Sequence, residues 1–308
     1  MMNSREDSGC PADPQTVACI GLGIMGQAMA CRLIGAGFDV RGVDPNPQAA
    51  NALAMRGAQM CASPAVAAAS AQCAIIMVSN ATQVRAVLFG PEGIVHTMPR
   101  AGVVWIASTI PADVMRECAR RLSEYGLTAL DGPVSGGRRK AQAGTLTVIA
   151  GGSQAALEGA MAYLSACAAQ IHHVGDTGVA STIKIINNLL AASHVVLTAE
   201  ALALGARTGV ALDKLIEVVG CSSGASQMFL NRASRMTQGD HEVHASIDTF
   251  LKDLDIALAS AQSLGASVPV SRAARAVLAR AAQSGMGPHS DTELFDLYQA
   301  ARALSDEQ

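Results

Sequence analysis

Two hydrophobic patterns divide the chain. From Thr16 to Val174, short apolar runs alternate with stretches in which apolar residues recur every third or fourth position. The runs at 16–20, 38–43, 74–78, 103–106, 127–130, 146–149 and 171–174 predict strands. The periodic stretches at 24–34, 47–56, 64–70, 81–88, 111–124 and 153–167 predict helices. Alternation of this kind predicts a mostly parallel sheet with helices on both faces. After Gly175 the strand pattern stops, and helices are predicted over 178–206, 211–219, 224–236, 247–264, 268–284 and 291–304. An α/β domain over 16–176 is therefore expected to precede an all-α domain over 177–308, with the helix at 178–206 as the join. Residues 1–15 are polar and lack an apolar run, which predicts a loose tail rather than a signal peptide.

The joining helix is the longest element. Between Gly178 and Gly205 there is neither Gly nor Pro, which predicts a span of roughly 40 Å. Apolar residues lie almost all round it, so burial on several sides is expected. Lys184, Asn187 and Asn188 interrupt this wall. Positions three and four apart share a helix face, which lets Lys184 meet Asn188, and Asn187 beside it. Taken alone, such a lysine fits equally well a stem that covers apolar surface while its ammonium reaches water.

Composition narrows the function classes. The chain of 308 residues is 50% hydrophobic and 15% charged, with a formal net charge of -3, as ordinary globular proteins are. Aromatic residues make up only 3%, which leaves little for base stacking, and Arg138-Arg139-Lys140 is too short a basic run to track phosphates. Nucleic acid is not an expected partner. No uninterrupted apolar segment of about 20 residues predicts a membrane span. The eight cysteines are scattered without a Cys-x-x-Cys pair, which predicts a reducing cytoplasm, no disulfides and no zinc site. His241 and His244 lack a third ligand at metal spacing and are expected in a solvated loop.

The first strand runs directly into Gly21-Leu22-Gly23-Ile24-Met25-Gly26, a helix follows, and the second strand ends in Asp44. A Gly-x-Gly-x-x-Gly run alone is a weak signal. Strand, glycines, helix, strand and terminal acid in this order form a dinucleotide-binding unit. Gly21 permits the tight turn, Gly23 the approach of a pyrophosphate, and Gly26 the packing of helix on strand, while the helix N-terminus offers unpaired N–H groups. Asp44 can accept both adenosine ribose hydroxyls and would repel a 2′-phosphate. Pro45-Asn46-Pro47 supplies no compensating Arg, so NAD is favoured over NADP. Ser79, Asn80 and Thr109 follow later strands, where they fit either the ribose and nicotinamide or simple turn and cap roles. Ser135-Gly136-Gly137 offers several backbone N–H groups to one small anion.

Four of these stretches resemble, in order, the motifs of the β-hydroxyacid dehydrogenases: Gly21–Gly26, Asp131–Gly137, Gly178 with Lys184 and Asn188, and Lys252-Asp253-Leu254. The resemblance spans about residues 16–300. It implies a Rossmann-type domain, a long interdomain helix and a helical C-terminal domain that builds a homodimer or homotetramer. It also implies that Lys184 is catalytic with Asn188 as its substrate-orienting partner, and that Asn187 lies with them. Ser135, Gly136 and Gly137 would hold a substrate carboxylate, and Lys252 would lie near the nicotinamide. A lysine buried in apolar surroundings near a positive ring loses proton affinity, as a base for a hydroxyl proton requires. Lys184 also sets the chain apart from imine-reducing relatives, which lack it.

The stretch from Gly224 to Arg232, with Gly239-Asp240 and Lys252-Asp253, resembles the sugar-acid branch, whose members oxidise a four-carbon acid such as L-threonate at carbon 2. Asn187-Asn188 resembles instead the branch that acts on 3-hydroxyisobutyrate and tartronate semialdehyde. Asn231 and Arg232 fit a substrate contact or a surface salt bridge. From another class, a catalytically silent dinucleotide-binding protein would share the glycine motif but has no use for Lys184.

Overall fold

The computed structural model describes residues 15–299. The loose tail expected over 1–15 falls almost wholly outside them, as do Cys10 and the end of the helix expected over 291–304. The chain forms two compact units, one built from the residues up to Ser108 plus Arg116–Thr177, the other from Thr109–Met115 plus the residues from Gly178 onward.

Six strands form the main sheet of the first unit: β1 (Thr16–Ile20), β2 (Asp39–Val43), β3 (Gln59–Met60), β4 (Cys73–Ile76), β5 (Val103–Ile106) and β6 (Thr128–Asp131). Their order is β3-β2-β1-β4-β5-β6 and every pairing is parallel. Helices α1 (Ile24–Gly35), α2 (Pro47–Ala54), α3 (Pro64–Ala68), α4 (Ala81–Phe89) and α5 (Ala112–Glu124) connect them. β1, β4 and β5 are buried along their whole length, as strands covered on both faces must be. The chain runs outward from β1 to β3 and returns to β4, so the order reverses beside the C-terminal end of β1. Open α/β sheets bind ligands at that reversal, and the glycine run begins there.

A second, three-stranded sheet accompanies the main parallel one. β7 (Val134–Ser135), β8 (Leu146–Ala150) and β9 (Ala168–His173), with α6 (Gly137–Ala143) and α7 (Gln154–Cys167) between them, are ordered β7-β8-β9. β7 runs antiparallel to β8. The cause lies at Gly132-Pro133, where the chain leaves β6 and turns. Trp105, fully buried on β5, donates its Nε1–H to the Gly132 carbonyl at 2.7 Å and pins that turn. A Cβ on Gly132 would strike the same indole nitrogen.

The second unit is helical: α8 (Val179–Thr208), α9 (Leu212–Gly220), α10 (Gln227–Thr237), α11 (Ile247–Ser263) and α12 (Pro269–Ala281). α10, α11 and α12 all pack on α8. Small residues on α8 (Ala192, Ala199, Ala203) let the neighbours close in, and Val195, Val196 and Leu202 meet Phe229, Phe250, Leu254 and Leu278 in one core. Each such aliphatic side chain contributes roughly 1.5–3 kcal/mol. α8 is capped at both ends by glycines in left-handed conformation, Gly178 (φ 95) and Gly209 (φ 78). By length and hydropathy it could cross a bilayer, yet half of its most apolar window is buried inside the protein. It is not buried all round: Ile183, Leu190, Leu197 and Leu204 are 38–65% exposed. The helix expected over 268–284 ends early, because Gly285 takes φ 91 within a wide π turn at 282–286.

Seven of the eight cysteines lie among the described residues and all seven are free. Burial pushes the thiols of Cys118 and Cys167 up to about 11 and about 12, where they are inert.

Candidate active site

In the first unit the glycine run behaves as three separate devices. Gly21 sits at φ 90, and a Cβ there would strike the carbonyl of Met77, just past the end of β4. Gly26 lies on α1 with its Cα against the Gly21 carbonyl, which closes the helix onto the turn. Gly23, the N-cap of α1, has nothing within 4 Å of where its Cβ would be. That open approach beside a helix N-terminus fits a pyrophosphate. Leu22, by contrast, is buried in the core. Ile24 is exposed, and Met25 packs on the core edge.

Asp44 is bound from two sides. Its Oδ2 accepts from the Leu22 N–H at 2.6 Å and its Oδ1 from the Asn46 N–H at 2.8 Å, while Asn46 caps α2. The Leu22 amide is therefore engaged by Asp44, and Asp44 is part of the turn as well as a candidate ribose ligand. Ser79 and Asn80 are exposed at the start of α4. The Asn80 side chain caps that helix by accepting from the Gln83 N–H, and the Ser79 N–H donates to the Gln83 side chain. Ser108, in the polar stretch Ser108-Thr109 that follows β5 and without an assigned role in the sequence, is 2% exposed and ties two strand ends together by accepting from the Val78 N–H and donating to the Ile76 carbonyl. Thr109, half-buried, is counted with the second unit.

Ser135 is half-buried on β7, opposite Thr147 of β8. Gly136 and Gly137 follow at φ 136 and 67, both exposed. Positive φ at two successive positions is open to glycine at little steric cost, and it turns the chain from β7 into α6.

The second unit holds the titratable cluster. Lys184 is 8% exposed, and among the described residues its ammonium makes no hydrogen bond or ion pair. Asn188, one turn on and equally buried, donates from Nδ2 to Asp253 Oδ2 at 2.6 Å and accepts at Oδ1 from Asn187 Nδ2 at 3.0 Å. Lys252 Nζ donates to Asp253 Oδ1 at 2.7 Å. Burial pulls the Lys184 ammonium down to about 8; Asp253 opposes that effect and Lys252 adds to it. The structure thus brings Lys184, Asn187, Asn188 and Lys252 together around Asp253. On α11, Asp253 is buried while the Lys252 side chain is 31% exposed.

Arg232 is not at the surface either. It pairs with the fully buried Asp291 at 2.7 Å, which makes it a fastener between α10 and the 291–293 turn, while Asn231 is exposed. His244 pairs with Glu242 at 3.1 Å and its side chain is only 9% exposed, so the loop there is not simply solvated.

Comparisons with known proteins follow this division. A family profile described as the NAD binding domain of 6-phosphogluconate dehydrogenase matches residues 16–175. Another, described as NAD-binding of NADP-dependent 3-hydroxyisobutyrate dehydrogenase, matches residues 178–298. L-threonate dehydrogenase of Pectobacterium atrosepticum is 38% identical over 92% of this chain and 93% of its own, and that of Escherichia coli K12 is 36% identical over 92% and 94%. The crystal structure of a 3-hydroxyisobutyrate dehydrogenase from Salmonella typhimurium is 38% identical, with a TM-score of 0.85 over 92% of this chain and 99% of that one. The glycine-run unit and the helical unit are thus each matched by a family of this kind, and full-length dehydrogenases match across both. The chain belongs to the β-hydroxyacid dehydrogenase family, as an NAD-binding oxidoreductase that acts on hydroxy acids.

Proposed function

We propose that the chain oxidises the carbon-2 hydroxyl of a four-carbon sugar acid, with L-threonate the first candidate, and that Lys184 is its general acid/base. One observation carries the catalytic assignment: Lys184 is buried, unpaired among the described residues, and drawn down to about 8. A base has to be found near the working pH, and an ordinary lysine is not. NAD, when bound, supplies the hydride acceptor. Neutral Lys184 takes the proton from the hydroxyl oxygen as the C–O bond becomes C=O, and the ammonium returns it in the reverse direction. Asn188 orients the hydroxyl, with Asn187 beside it. Ser135 and the N–H groups of Gly136 and Gly137 hold the carboxylate.

Gly21, Gly23 and Gly26 shape the pyrophosphate turn, through which the backbone of Leu22, Ile24 and Met25 runs. Asp44 selects NAD over NADP, Ser79, Asn80 and Thr109 line the ribose and nicotinamide, and Lys252 lies by that ring. A silent dinucleotide binder is disfavoured because it would bear the cost of burying an ammonium for no return.

The L-threonate dehydrogenases at 36–38% identity support the four-carbon substrate. A second reading, a 3-hydroxyisobutyrate dehydrogenase or a semialdehyde reductase, draws on Asn187-Asn188 and on the name of the Salmonella structure. Formation of reduced nicotinamide with L-threonate, D-threonate, D-glycerate, 3-hydroxyisobutyrate and 4-hydroxybutyrate decides between them. A preference for threonate is expected, and a preference for glycerate or hydroxyisobutyrate would move the chain to the second reading. We further place the protein in the cytoplasm, in keeping with its free cysteines, as a homodimer or homotetramer.

A further inference from the structure

We propose that Asp253 is a positioning residue for the Lys184–Asn188 face of α8: one carboxylate oxygen dictates which way the Asn188 amide points, and the other engages the Lys252 ammonium as its counter-charge. The kinetic consequences rest on the dehydrogenase reading, while the geometry lies wholly within the second unit.

Asp253 is 4% exposed, and its two oxygens serve different partners, Asn188 Nδ2 at 2.6 Å and Lys252 Nζ at 2.7 Å. An ionised carboxylate only accepts hydrogen bonds, so Asn188 must present its NH2 to Asp253. A flipped amide would set oxygen against oxygen in a buried site. The Asn188 Oδ1 therefore faces away, and there it accepts from Asn187 Nδ2 at 3.0 Å. Donation runs in a fixed sense, from Asn187 to Asn188 to Asp253, with Lys252 donating to the same carboxylate. What Asn188 keeps for a ligand is one N–H hydrogen and one lone pair, and Asn187 keeps its whole carbonyl oxygen. The order of donors and acceptors along α8 is thus imposed from α11.

Charge is arranged by the same residue. The charged groups that act on the Lys184 ammonium are Asp253 and Lys252, one strengthening and one weakening its hold on the proton. Without Asp253, two ammonium groups would share this region with no counter-ion between them, a repulsion that low local polarity magnifies.

The test titrates Lys184 itself. In the full-length protein, the rate at which acetic anhydride acetylates Lys184 is followed by mass spectrometry against pH, for wild type, Asp253→Asn and Lys252→Met. Asp253→Asn keeps the shape and removes the charge, and is expected to lower the midpoint by about one pH unit, while Lys252→Met is expected to raise it. The pH limb of hydroxy-acid oxidation should move the same way in each variant. A side chain that only fills space would lower kcat and leave the midpoint in place, so an unmoved or raised midpoint in Asp253→Asn overturns the proposal. If Asp253→Asn does not fold, Lys252→Met decides, and a midpoint that fails to rise overturns it. The exchange Asn188→Asp with Asp253→Asn restores a hydrogen bond and the net charge with the polarity reversed. It is expected to fold and to raise KM for the hydroxy acid about tenfold or more, and recovery of the wild-type KM would overturn the orientation argument. Shifts as expected in Lys184 titration, with no turnover of any hydroxy acid, would count against the dehydrogenase reading and leave the role of Asp253 standing.

Discussion

Lys184 stands to gain chemistry at the expense of stability. Its folded value of about 8 lies below the ordinary 10.5, so the folded chain holds the proton less tightly than the unfolded one. The deficit is full below pH 8 and fades as the pH rises from 8 to 10.5. Lys184→Met is therefore expected to raise stability at pH 7 by up to about 3 kcal/mol, an advantage that denaturant melts should show disappearing towards pH 10.5. The same variant should lose about 10²–10⁴-fold in kcat while NADH binding, read by nicotinamide fluorescence, stays close to wild type. Undiminished turnover would end the general-base assignment. In the wild type, hydroxy-acid oxidation should rise through pH 8 and the reverse reduction should fall there, because one needs the amine and the other the ammonium. Asp44→Ser is expected to weaken NAD by about tenfold and to improve NADP in relative terms. A wild type that already prefers NADP would refute the role given to Asp44. That change also removes the acceptor of the Leu22 N–H, so part of the loss should appear with both cofactors.

At the level of elements, what the sequence disclosed and what it hid have different physical origins. The strands of the main sheet other than β3, and α1 to α5, were legible because buried parallel strands read as continuous apolar runs between helical periods. β3 and β7 are two residues long and leave no periodic trace. The separate sheet of β7, β8 and β9 depends on a turn at Gly132 pinned by Trp105, a contact made across the fold. In the same way Lys184 and Asn188 could be paired from their spacing on one helix, whereas the hydrogen bond from Asn188 to Asp253 joins different helices and no spacing rule reaches it. Asp253 is given no role of its own in the sequence for that reason. Ser108, beside Thr109 at a strand end, is given no role in the sequence because a serine there carries no motif of its own. The glycine devices were legible down to single positions, and one makes a sharp prediction. A methyl group at Gly26 has nowhere to go but into the Gly21 carbonyl, so Gly26→Ala should lower stability by about 1–3 kcal/mol and weaken NADH, as thermal melts and titration would show. Gly23→Ala, with open space around it, should leave the melting temperature nearly unchanged.

For the molecule as a whole, α8 carries two faces that serve different ends. Ile183, Leu190, Leu197 and Leu204 recur with the heptad period of a helix–helix seam and lie exposed along its length. We expect this stripe to help form the proposed homo-oligomer, since a self-complementary apolar face is what a two-fold interface requires. Glutamate at both Leu190 and Leu197 should lower the mass measured by light scattering to a smaller species, and an unchanged mass would remove the stripe from the interface. The low polarity of α8 beyond its first turns also bears on how the protein is made. The helices that cover it, α10 to α12, lie after it in the chain, so the ribosome delivers α8 several seconds before its partners at about 5–20 residues per second. During that interval a nascent segment of membrane-spanning length and hydropathy is without its cover. Lys184, with Asn187 and Asn188, interrupts its first turns but lies near its N-terminal end, where a lysine can reach the interface and weighs little against insertion. It is therefore the arrival of α10 to α12 that takes this segment out of reach of a bilayer.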